Sequence, residues 1–176
     1  MSLQCVLMYH GLANDCLNSS HIGTRDPVYT ISPDVFVRQM TLLDENRRSG
    51  TSVREMVNGS HKDQMPVILT FDDGNRSDVT RALPVLLSHG FSATFYVTTA
   101  WIGHPGFLDQ DGILELHESG MEIGSHGHTH RYFDELSIDE LRREIEQSVD
   151  VLSSITGQDV AALGLPGGRS HSKMPD

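Results

Sequence analysis

The chain has 176 residues, enough for one domain with its own core and too few for two of ordinary size. Its 13 Lys and Arg stand against 24 Asp and Glu, a formal net charge of −11, which argues against unaided attraction to nucleic acid or to an anionic bilayer. No apolar run approaches the roughly 18 residues of a membrane span, so the expected partner is a small, neutral or cationic molecule, with no nucleic acid and no membrane.

The start, MSLQCVLMYHG, carries no basic segment ahead of an apolar run, so no export signal is visible and a cytoplasmic location is the expectation. Met1-Ser2-Leu3 can equally replace a removed leader. Two cysteines, Cys5 and Cys16, make neither a disulfide framework nor a thiolate metal set, and Cys5, inside an apolar run, reads as a small buried hydrophobe. Cys5 to Met8 predicts the first strand, ending at Tyr9-His10-Gly11. Ser32-Pro33 predicts a helix start, with Phe36, Met40 and Leu43 on one face. Val67 to Phe71 reads as a buried strand running straight into Asp72-Asp73-Gly74. Asp78 to His89 is helical in composition, with Pro84 kinking or restarting it. Ala93 to Val97 predicts another strand, and His104-Pro105-Gly106 marks a loop.

Met121 to Ile123 predicts a strand leading into the histidine-rich stretch Ser125 to His130. A long helix follows, because Ser137 and Glu140 have the spacing of a capping box, and Leu136 with Leu141 fits a hydrophobic staple. Its inward stripe is Leu141, Ile145, Val149 and Leu152, and Gly157 closes it. Val160 to Leu165 predicts the last strand, ending in Pro166-Gly167-Gly168. Strands alternating with helices imply a parallel α/β sheet over residues 1–176 as one domain. Such folds bind ligands at the carboxyl ends of their strands, where the Asp pair and the histidines fall.

Adjacent carboxylates at a strand end repel unless a cation sits beside them. Successive side chains diverge, so Asp72 and Asp73 should serve different tasks. An extended segment would point His126, His128 and His130 the same way, whereas a turn would pair only His126 with His130. Gly124 and Gly127 favour the turn, which leaves His128 outside the ligand set. One Asp and two His make three protein ligands with room for water and substrate, the catalytic pattern for a divalent ion, with zinc expected from the imidazoles. His21, His61, His89, His104 and His117 read as surface residues.

In order along the chain, TFDDG, SHGHTH and LPGG resemble the first three motifs of the polysaccharide deacetylase family, also called NodB-homology or carbohydrate esterase family 4. VLMYHGL is similar to the opening strand of many members. The resemblance implies a distorted, incomplete (β/α) barrel, here shortened at its C-terminus, and metal-dependent removal of N- or O-acetyl groups from sugars. It implies Asp72 as catalytic base, Asp73, His126 and His130 as ligands of one metal ion, and the N–H of Gly167 as an oxyanion donor. Gly127 stands where the family has Ser or Thr to support the loop. Gly164 stands where it has an Arg bracing the catalytic Asp, a role Arg169 could fill from the other side. The later motif carrying the acidic histidine has no match after Arg169, and His171 lies too close to the third motif to be assigned that role. His10, at the same rim as Asp72 and His126, is the local candidate for the acid. Two other readings share these residues: a hydrolase of another non-peptide C–N bond in a small amide or formyl group, and a binding domain that keeps the metal without turnover. Self-association is left open.

Overall fold

The computed structural model describes residues 5–13, 27–60 and 65–172. Cys16, His21 and His61 lie outside these ranges. The strands are β1 (Cys5–Tyr9), β2 (Gly11–Leu12), β3 (Thr30–Ile31), β4 (Gly50–Thr51), β5 (Val67–Phe71), β6 (Thr94–Val97) and β7 (Glu122–Ser125). The α-helices are α1 (Pro33–Glu45), α2 (Val53–Asn58), α3 (Leu83–His89), α4 (Gln110–Glu118) and α5 (Ile138–Thr156). The main sheet is parallel in the order β1-β5-β6-β7, and β4 pairs with the start of β5. β2 and β3 form a separate parallel pair.

All five residues of β5 are buried, as expected of a central strand covered on both faces. The core fills the helix-facing side. Phe71 stacks on Phe95 with centroids 4.6 Å apart, and Tyr9 meets Phe36 edge-on at 5.1 Å, contacts of about 0.5–1.5 kcal/mol each beyond area burial. Along α1, Ser32 caps the first turn by accepting from Val35 N–H, and Phe36 and Met40 are its buried residues. α5 has the expected capping box from Ser137 and Glu140 and ends at Gly157, which is left-handed.

Pro84 restarts the helix, one of the two expected outcomes: a π-helical turn over Asp78–Ala82 passes directly into α3. Elsewhere the structure departs from the sequence reading. Val160 to Leu165 forms no strand, because only Leu163 bridges Ser125 at the sheet edge. α2 and α4 are helices that the sequence reading did not foresee. The buried residues of α5 are Leu141, Glu144, Ser148 and Leu152, so two polar residues share the inward face with Ile145 and Val149, which are half-buried. Cys5 is half-buried against the core. Among the described residues no helix is long and apolar enough to cross a membrane.

Sheet register sets the site. Tyr9 pairs with Phe71, so His10 and Asp72 leave the sheet side by side, and the Asp72 N–H donates to the Tyr9 carbonyl at 2.9 Å. Val97 pairs with Ser125, so Thr98 and His126 do the same one strand further, with His126 N–H on the Val97 carbonyl at 3.0 Å.

Candidate metal centre

At this rim one carboxylate and two imidazoles converge. A ligand atom each from Asp73, His126 and His130 lie within 4.8 Å of one another. His126 Nε2 is 3.7 Å and His130 Nε2 3.3 Å from Asp73 Oδ1, while Asp72 Oδ2 stands 4.0 Å from His126 Nε2. The two Asp side chains do not diverge as expected, since both carboxylates approach the same His126 Nε2; Asp73 adopts φ +80° and Gly74 φ +79°. That backbone costs a residue with a Cβ about 1 kcal/mol or more, and such strain collects at functional sites.

The histidine stretch is a turning loop. Gly127 lies at φ +74° and His130 at φ +63°, which folds His130 back toward His126, their ring centroids 5.0 Å apart. His128 turns away, its Nδ1 2.8 Å from the Thr99 hydroxyl. His126 is 1% exposed. Burial pushes its pKa down to about 4, despite the opposing pull of Asp73, so its ring is neutral at pH 7. Its Nδ1 lies 3.1 Å from the Gly164 carbonyl; a proton there leaves the Nε2 lone pair facing Asp73, the tautomer a metal ligand needs. A neutral, oriented imidazole, a second imidazole and a carboxylate are a donor set that fits a divalent ion.

Asp72 is buried beside this set. Desolvation first, and then the Asp73 charge, push its pKa up to about 7, with His130 opposing. His10 also faces the cavity, 4.8 Å from the Tyr29 ring, and burial pushes its pKa below the ordinary imidazole value. The site opens into a cavity of about 1060 Å³ whose walls include Tyr29, Trp101, Phe107 and Tyr132. Gly167 lines it at φ +63°, and a Cβ there would come within 2.7 Å of the Tyr132 ring.

A further expectation fails. Arg169 does not brace Asp72: it is tied to Asp134 at 2.7 Å and Glu135 at 3.1 Å, with its guanidinium over the Tyr132 ring. Position 164 has no room for any side chain, because a Cβ there would lie 2.8 Å from the Tyr96 ring and 3.1 Å from His126 Nδ1. His104 is exposed, as expected, yet lines the cavity mouth. His171 is half-buried and is not among the cavity-lining residues. The sequence reading missed Trp101, whose ring stacks on His130 at 5.0 Å and 26°, although it is the single tryptophan of the chain. It also missed Glu144, a buried acid whose signal was a charged residue on the inward stripe of α5.

Residues 59–175 match the family model described as polysaccharide deacetylase. Over 172 residues the chain is 26% identical to YxkH of Bacillus subtilis (strain 168), provisionally named a polysaccharide deacetylase, covering 96% of this chain and 58% of that protein. It thus spans less than two thirds of that relative. It is 28% identical over 118 residues to the peptidoglycan-N-acetylmuramic acid deacetylase PdaC of the same organism, covering 63% of this chain and 24% of that one. The crystal structure of BC0361, a polysaccharide deacetylase from Bacillus cereus, matches with a TM-score of 0.80 at 27% identity, covering 96% of this chain and 52% of that one.

Proposed function

The chain belongs to the polysaccharide deacetylase family, and on that premise we propose that it is a metal-dependent hydrolase removing acetyl groups from an N-acetylated carbohydrate. The observation that carries this reading is the convergence of Asp73, His126 and His130 on one point, with Asp72 beside them and a cavity in front. Asp73, His126 and His130 would hold a divalent ion, with zinc proposed from the two imidazoles. When bound, that ion lowers the pKa of water and polarises an acyl oxygen.

The chain's own groups supply the rest. Asp72, whose Oδ2 stands 4.0 Å from His126 Nε2 beside the ligand set, takes the proton of the attacking water as general base. The N–H of Gly167, which lines the cavity, is the proposed donor to the oxygen on which negative charge grows. His10, on the same rim, is the candidate donor of a proton to the leaving amine. The aromatic walls offer apolar faces to a sugar ring, and orientation then falls to a few polar groups.

The test is acetate release from an N-acetylglucosamine oligomer by this chain, with zinc and after chelation. Release that requires the ion, and that Asp73→Ala abolishes, supports the proposal. Zinc uptake with no release points instead to a domain that keeps the metal without turnover. Release of formate from a small formamide, with no acetate from the oligomer, would select the other C–N hydrolase.

A further inference from the structure

Bringing two imidazoles four residues apart onto one ion requires a tight turn whose backbone N–H groups have no sheet ladder to satisfy them. Such groups need partners when buried. The loop is stapled on one side by the segment after β6, where Thr99 N–H donates to the Gly127 carbonyl at 3.3 Å and Ala100 N–H to the His128 carbonyl at 2.8 Å. These bonds satisfy carbonyls. The Gly127 N–H donates to the Ser125 hydroxyl at 3.1 Å, and the donors of the next two residues are met by α5.

Glu144 lies one turn beyond Leu141 on the inward face of α5 and is 8% exposed. Its Oε2 accepts the N–H of His128 at 2.8 Å and of Thr129 at 2.7 Å, and its Oε1 accepts the Thr129 hydroxyl at 2.6 Å. Three donors meet one carboxylate, and all three belong to the two residues just before His130. Hydrogen bonds to a charged acceptor are stronger than neutral ones and fix geometry more firmly. Gly127 makes room for this arrangement: a Cβ there would stand 3.3 Å from Glu144 Oε2 and 3.3 Å from the Phe133 ring. The bare glycine and the buried acid are therefore two halves of one device.

We propose that Glu144 is the positioning residue of the histidine clamp, holding the turn closed from α5 so that His130 meets His126 at the spacing an ion requires. The inference rests on the reading of His126 and His130 as metal ligands, and it adds to that reading a residue 14 positions from the nearer of the two histidines in sequence. Glu144 touches neither substrate nor ion; it acts through the backbone of the loop.

Glu144→Gln keeps the size of the side chain but removes its charge and one acceptor oxygen, so an amide must face at least one of the three donors. Two readouts are taken on the full chain: the zinc dissociation constant by calorimetric titration, and amide hydrogen exchange at His128 and Thr129 in the metal-free protein. Weakening of zinc binding by roughly 10- to 100-fold is expected, the usual effect of losing a group that orients a ligand. Exchange at residues 128 and 129 should quicken by about 10-fold or more, with the rest of α5 unchanged. Thr129→Val, at an exposed position, removes one donor and leaves Glu144 in place, so it serves if Glu144→Gln does not fold. It should weaken zinc by about 3- to 10-fold, the range for one hydrogen bond. Unchanged affinity and unchanged exchange in both variants overturn the proposal. Wild-type protein that takes up no zinc refutes the ligand reading instead, and the exchange result then decides by itself whether Glu144 braces the loop.

Discussion

Replacing the three histidines one at a time by Ala tests the ligand set most directly. Zinc that binds the folded chain alone stabilises it by RT ln(1 + [Zn]/Kd), about 2.7 kcal/mol at 100 times Kd. For a domain of this size 1 kcal/mol moves the midpoint by roughly 2–4 °C, so zinc should raise the wild-type Tm by about 5–11 °C. His126 and His130 each present Nε2 to Asp73, at 3.7 and 3.3 Å. If the loss of either weakens the site about 100-fold, the same zinc supplies only RT ln 2, about 0.4 kcal/mol or roughly 1 °C. His128 instead spends its Nδ1 on Thr99 at 2.8 Å. His128→Ala should therefore lower the metal-free Tm by a few degrees, for one lost hydrogen bond of about 1 kcal/mol, and keep the full zinc increment. Melting curves with zinc and with chelator, together with metal stoichiometry, give the answer. A zinc increment lost in His128→Ala and kept in His130→Ala would refute the turn geometry on which the site depends.

Asp72→Asn should retain the zinc increment while acetate release falls by about 100-fold or more, because the proton acceptor is gone and its shape is not; near-normal release would place the base elsewhere. If His10 is the acid, its lowered pKa sets the alkaline limb of the pH–rate profile below the ordinary imidazole value near 6.5, since only the protonated ring can donate. His10→Ala should erase that limb with metal content unchanged, and an unaltered profile would remove His10 from the mechanism. Asp78 is fully buried, and burial first and the Asp73 charge second hold its pKa well above its ordinary 3.8. As pH rises from about 4, the unfolded chain releases this proton and the folded chain retains it, so folded stability falls with rising pH. In chelator, Asp78→Asn should therefore gain Tm over wild type progressively from pH 4 to 7, and a difference that does not change with pH would contradict the assignment.

Four of the paired strands, β1, β5, β6 and β7, were legible because each contains a short apolar run; β5, β6 and β7 are buried throughout, as parallel strands commonly are, while β1 alternates. Val160 to Leu165 has the same appearance but lacks a partner: Leu163 alone bridges Ser125, and pairing is a property of two segments. α2 carried a local signal that went unread, Ser52 followed by Glu55 and then by Gly59, and Ser52 does cap it by accepting from Glu55 N–H. What holds so short a helix is non-local. Arg54 N–H donates to Glu122 on β7 at 2.8 Å, and Val53 N–H to the Thr94 hydroxyl on β6 at 2.8 Å. α4 was obscured by Gly112, yet Asp109 caps it by accepting from the N–H of that same glycine.

At the site, the identity of the converging residues was readable because the chemistry demands those side chains at strand ends, whereas their support was not. Glu144 looks like a solvated helix acid until the loop is seen against it, and Arg169 looks like a brace for Asp72 until Asp134 and Glu135 are seen to hold it. The titration behaviour points the same way as the geometry. Asp72 and Asp78 are both forced upward by burial and by the Asp73 charge, and His126 is forced neutral. Burial drives all three shifts by disfavouring the charged form, and the Asp73 charge adds to it at Asp72 and Asp78 while opposing it at His126. A divalent cation beside Asp73 would oppose the shifts of both Asp72 and Asp78, and it would need His126 in the neutral form that burial already imposes. On the proposed reading, the strained backbone at Asp73 and His130 and the acid on α5 serve one requirement, that this rim hold a divalent cation.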